Sequence, residues 1–416
     1  MNILMVYAYS EYPFRSTTWE HLRSFEKYSG CRVFHLNLVN GSVPWYARTV
    51  DFDLVIFDTL FLSRHWHGPQ YFSRLLRRAR PIKDIRAVKV MLPQDEFLYS
   101  DLYCEFIREF GISIVFSVAP ESEWRRIYSS VDFTKTTFHR VLPGYLDDAK
   151  LPLLIKLGRN VNGRPINIGY RTAGRPHFWF GRHGYLKQRI ADEVLAAAKI
   201  RNLPVDISTS GANTIHGDAW YEYLSSCRYT IGSEGGTSMI DPDGSIRARV
   251  DQFLRAHPEA DFGAVEQACF PGVDGTCMLL AISPRHLEAC ATRTCQILVE
   301  GTYNGILVAG RHYIPIKTDL SNVGEVLDTL GDESIRHEII DNAYKDIVEA
   351  GNYTYSAFVR FVLERSLPDG ARPEAGDFSS WERLVYSWMC IAERAQWRWF
   401  RLRSTLKKVR HEMLGR

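Results

Sequence analysis

The stretch ILMVYAYSEYPFRSTTW, residues 3–19, decides how the first half of the chain is read. Its first six residues form an unbroken apolar run, short enough for a strand and too continuous for one with a wet face. A polar junction follows, and residues 18–29 have helical character. The unit then recurs. RVFHLNL (32–38), DLVIFDT (53–59), AVKVML (87–92), ISIVFSV (112–118) and TFHRVLP (137–143) are further apolar runs, with helix-like segments at 69–79 and 100–110. Continuous apolar strands alternating with helices predict a parallel sheet covered on both faces. The turn YAYSEYPFRSTTW is not a GxGxxG loop, which argues against a dinucleotide site there.

Residues 144–165, GYLDDAKLPLLIKLGRNVNGRP, break the rhythm with Gly, Pro and Asn and read as a linker. The alternation resumes with INIGY (166–170), a helix near 184–198, PVDIS (204–208), a helix near 218–226 and RYTIG (228–232). An acidic loop, two helical stretches and a helix over 283–294 lead to QILVE (296–300), HYIPI (312–316) and helices near 322–330 and 333–350. The predicted fold is α/β: a Rossmann-like domain over 1–150, a second over 151–350, and C-terminal helices over 351–416. Two doubly wound domains of this kind leave a cleft, and ligands bind outside the carboxyl ends of the strands.

The 416 residues are enough for two cores, and the net charge of +3 does not suggest a nucleic-acid binder. That charge is uneven: residues 381–416 hold nine Lys/Arg against three Glu, so the tail is +6 and the rest −3. Eight cysteines with no CxxC pair read as reduced thiols rather than a disulfide scaffold or a zinc site. The N-terminus lacks a basic n-region, and no run approaches the roughly 20 apolar residues of a membrane span. These features predict a soluble cytoplasmic protein.

Three loops after strands carry the chemistry. RTAGRPHFWFGRHGYLKQRI, after INIGY, sets Arg171, Arg175, Arg182 and His183 before a helix start, a seat for phosphate or carboxylate or else a solvated basic loop. SEGGTSMIDPDGSIRARV, after RYTIG, holds Glu234, Asp241 and Asp243. Three carboxylates there suit nucleophilic or acid/base work at a glycosidic centre, a metal-binding DxD pair, or a plain turn. SPRHLEACATRT (283–294) starts a helix at Ser283-Pro284 and puts Arg285 at its positive end, where a cation is unfavourable unless something anionic binds or Glu288 pairs with it. Glu300, Tyr303 and Asn304 follow the next strand. Lys317, Asp319 and Asn322 follow HYIPI on the same rim. His139, His177, His183 and His216 read as structural or solvated.

SPR-x-x-EA, EG-x-Y-x-GIL and HYI-x-I-x-x-D-x-SN, with IGYR, G-x-x-G-x-x-K and the acidic loop, resemble the donor-binding half of GT-B glycosyltransferases over residues 166–322. The resemblance is nearest to enzymes of bacterial surface-polysaccharide (O-antigen, lipopolysaccharide, capsule) biosynthesis, and among them to the retaining β-Kdo transferases. It implies that Glu288 binds the donor ribose, that Asp241 or Asp243 is the nucleophile, and that Arg residues meet the carboxylate of a CMP-linked ulosonic acid. The chain departs from the common retaining pattern at position 280, where Leu stands in place of another Glu. That departure weighs against an ordinary hexose donor.

The expected activity is therefore transfer of a sugar from a nucleotide donor to a growing cell-surface glycan, with no metal and no cofactor. The rivals are a UDP- or GDP-hexose transferase of the same fold, a sugar-nucleotide epimerase and a non-catalytic two-lobed sugar-binding protein. Residues 393–416, ERAQWRWFRLRSTLKKVRHEMLGR, space Trp399, Leu402, Leu406, Val409 and Met413 helically among Arg398, Arg401, Arg403, Lys407, Lys408 and Arg410. Such a helix fits an anionic membrane surface at the inner face of the cytoplasmic membrane, or docks on the protein itself.

Overall fold

The computed structural model describes residues 1–172, 177–367 and 379–413. Arg175 lies outside the described residues, as do the side chains of Lys408 and Met413. The chain divides into two compact units: Met1–Val118 with Arg125–Val141 and Val359–Arg416, and Ala119–Trp124 with Leu142–Phe358. The divisions thus fall near 141 and 358 where the sequence suggested 150 and 350, and the last segment belongs with the first unit.

In the first unit β1 (Asn2–Tyr7), β2 (Arg32–Asn37), β3 (Leu54–Phe57), β4 (Val88–Met91), β5 (Ile114–Ser117) and β6 (Thr137–Arg140) make one parallel sheet, in the order β2-β1-β3-β4-β5-β6. Every residue of β1 and β3 is buried, which is why their sequences carry no polar alternation. Helices α1 (Ser16–Tyr28), α2 (Thr59–Leu62), α3 (Pro69–Ala79), α4 (Ser100–Phe110) and the short α5 (Trp124–Ile127) alternate with the strands along the chain.

The expected linker contains a helix, α6 (Leu151–Leu157), anchored by the buried Leu154. In the second unit β7 (Ile166–Arg171), β8 (Val205–Ser208) and β9 (Cys227–Gly232) precede a two-stranded antiparallel ribbon, β10 (Gly235–Thr237) with β11 (Leu279–Ala281). The apolar pattern of the sequence does not predict this ribbon. With β12 (Cys295–Val299) and β13 (Ile314–Ile316) the remaining strands form a parallel sheet in the order β13-β12-β9-β7-β8. Its helices are α7 (Gly181–Ile200), α8 (Asp218–Ser226), α9 (Ser245–Ala256), α10 (Phe262–Cys269), α11 (Pro284–Ala291), α12 (Val323–Thr329) and α13 (Glu333–Ala343), the last running into a π-helical turn, Tyr344–Glu349. Ile168, Ile190, Val194, Ile231 and Ile297 lie at the centre of its core.

The first division of the chain's end falls inside α14 (Tyr355–Ser366), and α15 (Ser380–Met413) closes the described chain. Ser379 and Glu382 cap α15 reciprocally: Ser379 donates N–H and hydroxyl to Glu382 Oε2 at 3.0 and 2.8 Å, and Glu382 N–H returns to Ser379 Oγ at 3.2 Å. Both sheets place the second strand on one side of the first and the third on the other. Each is a Rossmann-like doubly wound sheet with a switch point, β1/β3 in the first and β7/β9 in the second, where ligands bind in such folds. No helix among the described residues is long and apolar enough to cross a membrane.

Candidate functional site

The β7/β9 switch point of the second unit has Arg171 at the end of β7 and Glu234 just after β9, and α11 is tied to both strand ends through Arg285 and His286. α11 begins there, with Arg285 in its first turn and Glu288 one turn on. The two do not form an ion pair. Glu288 is 6 % exposed and accepts the Trp220 indole N–H at Oε2, 2.7 Å. Burial raises its carboxyl above the usual range, while the Trp220 hydrogen bond and the Arg285 charge oppose that rise. Arg285 is half-buried, donates to the Arg171 carbonyl at 2.9 Å and lies 6.0 and 5.9 Å from the Tyr170 and Trp220 rings. Among the described residues no carboxylate comes within ion-pair distance of it. A cation at the positive end of a helix, with no carboxylate in ion-pair contact among the described residues, is poised for an anion.

Arg171, at the end of β7, is committed elsewhere. Its Nη2 meets both Asp206 oxygens at 2.7 and 2.6 Å, and Nη1 donates to the Tyr170 and Asp206 carbonyls and the Tyr223 hydroxyl. The start of α7 is filled as well. Arg182 N–H donates to Asp274 Oδ1 at 3.1 Å and His183 N–H to Ser238 Oγ at 3.2 Å. The Arg182 side chain pairs with Glu266 and, at 3.2 Å, with Asp274. The anion seat expected on this basic loop is therefore occupied by the protein's own carboxylates. Lys187, one turn further on, is the lysine of the G-x-x-G-x-x-K motif. Its Nζ comes within 4.0 Å of where a β-carbon on Gly235 would stand.

Glu234, after β9, is a loop anchor. It is 3 % exposed and accepts Tyr303 N–H at 2.7 Å, Thr302 N–H at 3.1 Å and the Thr302 hydroxyl at 3.1 Å. A β-carbon on Gly301 would stand 2.4 Å from Glu234 Oε2, so the glycine is what lets the loop after β12 close over the carboxylate. Gly236 has φ +122°, and a β-carbon there would overlap the Leu279 carbonyl of the ribbon partner. Together these account for the Glu-Gly-Gly run without a ligand.

Asp241 and Asp243 cap α9. Asp241 is 1 % exposed and takes Ile246 N–H on Oδ1 at 3.1 Å and Arg247 N–H on Oδ2 at 2.8 Å. Burial raises its carboxyl despite those bonds. Asp243 is exposed, accepts Ser245 N–H at 2.9 Å, and is held below the usual range mainly by that bond.

Beyond β12, the Tyr303 phenol is fully buried and donates to the Val299 carbonyl at 2.6 Å, so it is withdrawn from the rim. Asn304, at φ +57°, accepts Ile282 N–H on Oδ1 at 2.7 Å. Asn322 accepts Lys317 N–H at 2.8 Å, and Asp319 accepts Ser321 N–H at 3.0 Å, which leaves Lys317 and Asp319 as exposed turn residues after β13. His286, not considered from sequence, is buried between Gln296 Oε1 (2.9 Å) and the Ser233 carbonyl (3.2 Å), and burial pushes it down to about 4.

The first unit has its own cluster at the β1/β3 switch point. Asp58, after β3, accepts Leu60 N–H on Oδ1 at 2.8 Å and faces His21 Nδ1 with Oδ2 at 3.0 Å, both side chains buried. Asp58 therefore fixes the neutral ring as the Nδ1–H tautomer, leaving Nε2 its acceptor nitrogen. The two residues are 37 apart in sequence, and the pairing of β1 with β3 sets α1, which carries His21, beside Asp58. Among the described residues no group of three or more His, Cys, Asp or Glu is placed to hold a metal ion.

No family model matches the chain, and no curated protein matches it. Solved structures similar to it include HepE from Anabaena in complex with UDP, at 11 % identity and TM-score 0.49 over 88 % of this chain and 99 % of that one. An α-glucosyltransferase in complex with UDP-glucose and DNA containing an abasic site gives 12 % and 0.49 over 87 % and 98 %. The GtfA/B complex gives 12 % and 0.39, and there the chain spans 55 % of the matched chain's length. These likenesses assign no role to any residue of this chain.

Proposed function

We propose that the protein is a glycosyltransferase that moves a sugar from a nucleotide-activated donor to a growing cell-surface glycan, with the donor held by the second unit and the acceptor by the first. The observation that carries this reading is the Arg285–Glu288–Trp220 group at the β7/β9 switch point. A guanidinium with no ion-pair contact among the described residues and a buried carboxylate one helical turn apart supply a partner for phosphate and an acceptor for ribose hydroxyls. The motifs over 166–322 support the same reading, since their resemblance to those of GT-B enzymes implies a ribose-binding role for Glu288.

At finer grain the donor is a CMP-linked ulosonic acid such as CMP-Kdo, transferred with retention and without a metal. The acidic loop resembles that of the β-Kdo transferases, and Leu280 departs from the hexose pattern. Under this reading Asp243 is the nucleophile, because Asp241 has both oxygens on backbone N–H groups. A lipid-linked acceptor would set the reaction at an anionic membrane surface, the role expected of residues 393–416.

A second reading, a UDP- or GDP-hexose transferase, is favoured by His21–Asp58. An imidazole oriented by a carboxylate can take the proton of an acceptor hydroxyl, and that chemistry needs no enzymic nucleophile.

The test is a thermal-shift panel of CMP, UDP, GDP and ADP with the intact chain. A ligand at 100 times its dissociation constant stabilises by about 2.7 kcal/mol, a readable shift. Selective stabilisation by CMP supports the ulosonic-acid donor, and stabilisation by UDP or GDP supports the hexose reading. No response to any of the four overturns the transferase assignment in favour of a non-catalytic binding protein.

A further inference from the structure

α15 docks on the first unit by one face and leaves the other uncovered. Val385, Met389 and Phe400 are buried, and Glu393 accepts the Tyr7 hydroxyl at 2.5 Å and Arg23 Nη2 at 2.7 Å. These contacts run along the inner face as far as Trp397, whose indole N–H donates to the Tyr7 hydroxyl at 3.2 Å.

The opposite face is apolar and exposed. Ile391 is 62 % exposed, Leu406 58 % and Trp399 56 %. The spacing is regular: Trp381 recurs as Trp399 and Leu384 as Leu402, each after eighteen residues. Trp388 recurs as Leu406 and Ile391 as Val409 at the same interval. Eighteen residues are five full turns of about 3.6, so at roughly 100° per residue all eight side chains fall within an arc of about 80°. Such a repeat makes a straight strip that does not wind around the helix. A coiled-coil seam instead repeats every seven residues and drifts by about 20° per heptad on a straight helix.

Cations line both edges of the strip. Arg394, Arg398 and Arg401 fall on one side and Arg403, Lys407 and Arg410 on the other, all exposed, with no carboxylate between residues 394 and 411. Trp45, 66 % exposed, extends the strip beyond the helix by stacking on Trp381 at 6.2 Å. The Trp381 indole N–H donates to Thr49 Oγ1 at 2.7 Å and ties that turn to α15.

We infer that this outward face of α15, together with Trp45, seats the first unit flat on an anionic lipid surface. A straight apolar strip sinks to the headgroup boundary, tryptophans sit well at that depth, and the flanking guanidinium groups meet lipid phosphates. A second copy of the chain fits less well, because pairing two such strips sets the cationic edges against each other. The surface is larger than the tail expected from sequence, since it starts at Trp45 and Trp381. It deepens the membrane part of the proposed function, and its geometry is independent of the donor site.

The test is co-sedimentation of the full chain with phosphatidylcholine vesicles, with and without phosphatidylglycerol, alongside the double variant Ile391→Asp/Leu402→Asp. Both positions are exposed, so the variant should melt with the wild type. The expected result is binding to the anionic vesicles only, weakened by salt and reduced on the order of ten-fold or more in the variant. Wild-type protein left in the supernatant overturns the inference, as does a variant that binds equally well. A concentration-dependent dimer that the variant abolishes, without vesicle binding, assigns the strip to a second copy instead. The nucleotide thermal shift separates the two readings. Lost vesicle binding with an intact nucleotide response removes the lipid surface alone, and vesicle binding without any nucleotide response removes the transferase alone.

Discussion

Trp220 donates its indole N–H to Glu288 at 2.7 Å, and this contact, not an ion pair with Arg285, is what holds the carboxylate at the start of α11. Burial raises that carboxyl, so the folded protein binds its proton more tightly than the unfolded chain does. Stability from this site is therefore highest at low pH and is lost as pH rises from the ordinary carboxylate value through the raised one. Glu288→Gln removes that cost. At neutral pH the variant is expected to melt at or above the wild-type temperature, while nucleotide affinity in the thermal-shift panel falls about ten- to hundred-fold, the value of hydrogen bonds to a charged acceptor. A variant with unchanged nucleotide affinity would remove Glu288 from the donor site.

Gly301 and Glu234 form a structural lock. A β-carbon at Gly301 would stand 2.4 Å from Glu234 Oε2, and the carboxylate cannot retreat without abandoning the Thr302 and Tyr303 N–H groups. Gly301→Ala is expected to cost about 1–3 kcal/mol, as overpacking typically does. In a unit of this size that lowers the melting temperature by about 2–4 °C per kcal/mol. Glu234→Ala should cost a similar amount by leaving buried donors unsatisfied. Differential scanning calorimetry of both variants checks this, and an unchanged melting temperature in Glu234→Ala would return that residue to the list of catalytic candidates.

The buried strands were legible because burial on both faces forces continuous apolar runs, as in β1, β3 and β12. The β10–β11 ribbon was not. Its strands are three residues each, and β10 is Gly-Gly-Thr, which carries no hydrophobic period. The carboxylates were visible but their roles were not. An Asp beside Pro and Gly has the same local sequence whether it caps a helix, as Asp241 does for α9, or attacks a sugar. Pairings such as His21–Asp58 depend on which strand pairs with β1 and so on what lies beside α1, and no spacing within the sequence announces that. The start of α15 is legible in Ser379-x-x-Glu382, a capping box twenty residues upstream of Trp399, where the helical spacing in the tail begins.

Asp241 and Asp243 should separate by variant. Asp241→Ala removes a buried cap that takes two N–H groups, and an expected loss of about 1–2 kcal/mol follows from helix-cap substitutions. Asp243 is exposed and its single bond to Ser245 contributes less, so Asp243→Ala should melt close to the wild type. If the retaining reading holds, Asp243→Ala also abolishes sugar transfer while keeping the nucleotide thermal shift. Full transfer activity in that variant would rule out Asp243 as nucleophile and shift attention to the His21 base, whose replacement His21→Ala then lowers kcat without changing donor affinity.

His286 makes the second unit sensitive to acid. Its ring lies between Gln296 and the Ser233 carbonyl beneath the site, and burial pushes it down to about 4, so it is neutral in the folded protein. The unfolded chain takes up the proton near the ordinary imidazole value, so the unfolded state binds more protons and stability falls as pH drops from about 6.5 to about 4. The full effect is on the order of 3 kcal/mol. His286→Gln has no proton to gain and should flatten the melting temperature over that window, even if it lowers it uniformly. Parallel slopes for wild type and variant between those limits would mean that another group sets the acid sensitivity.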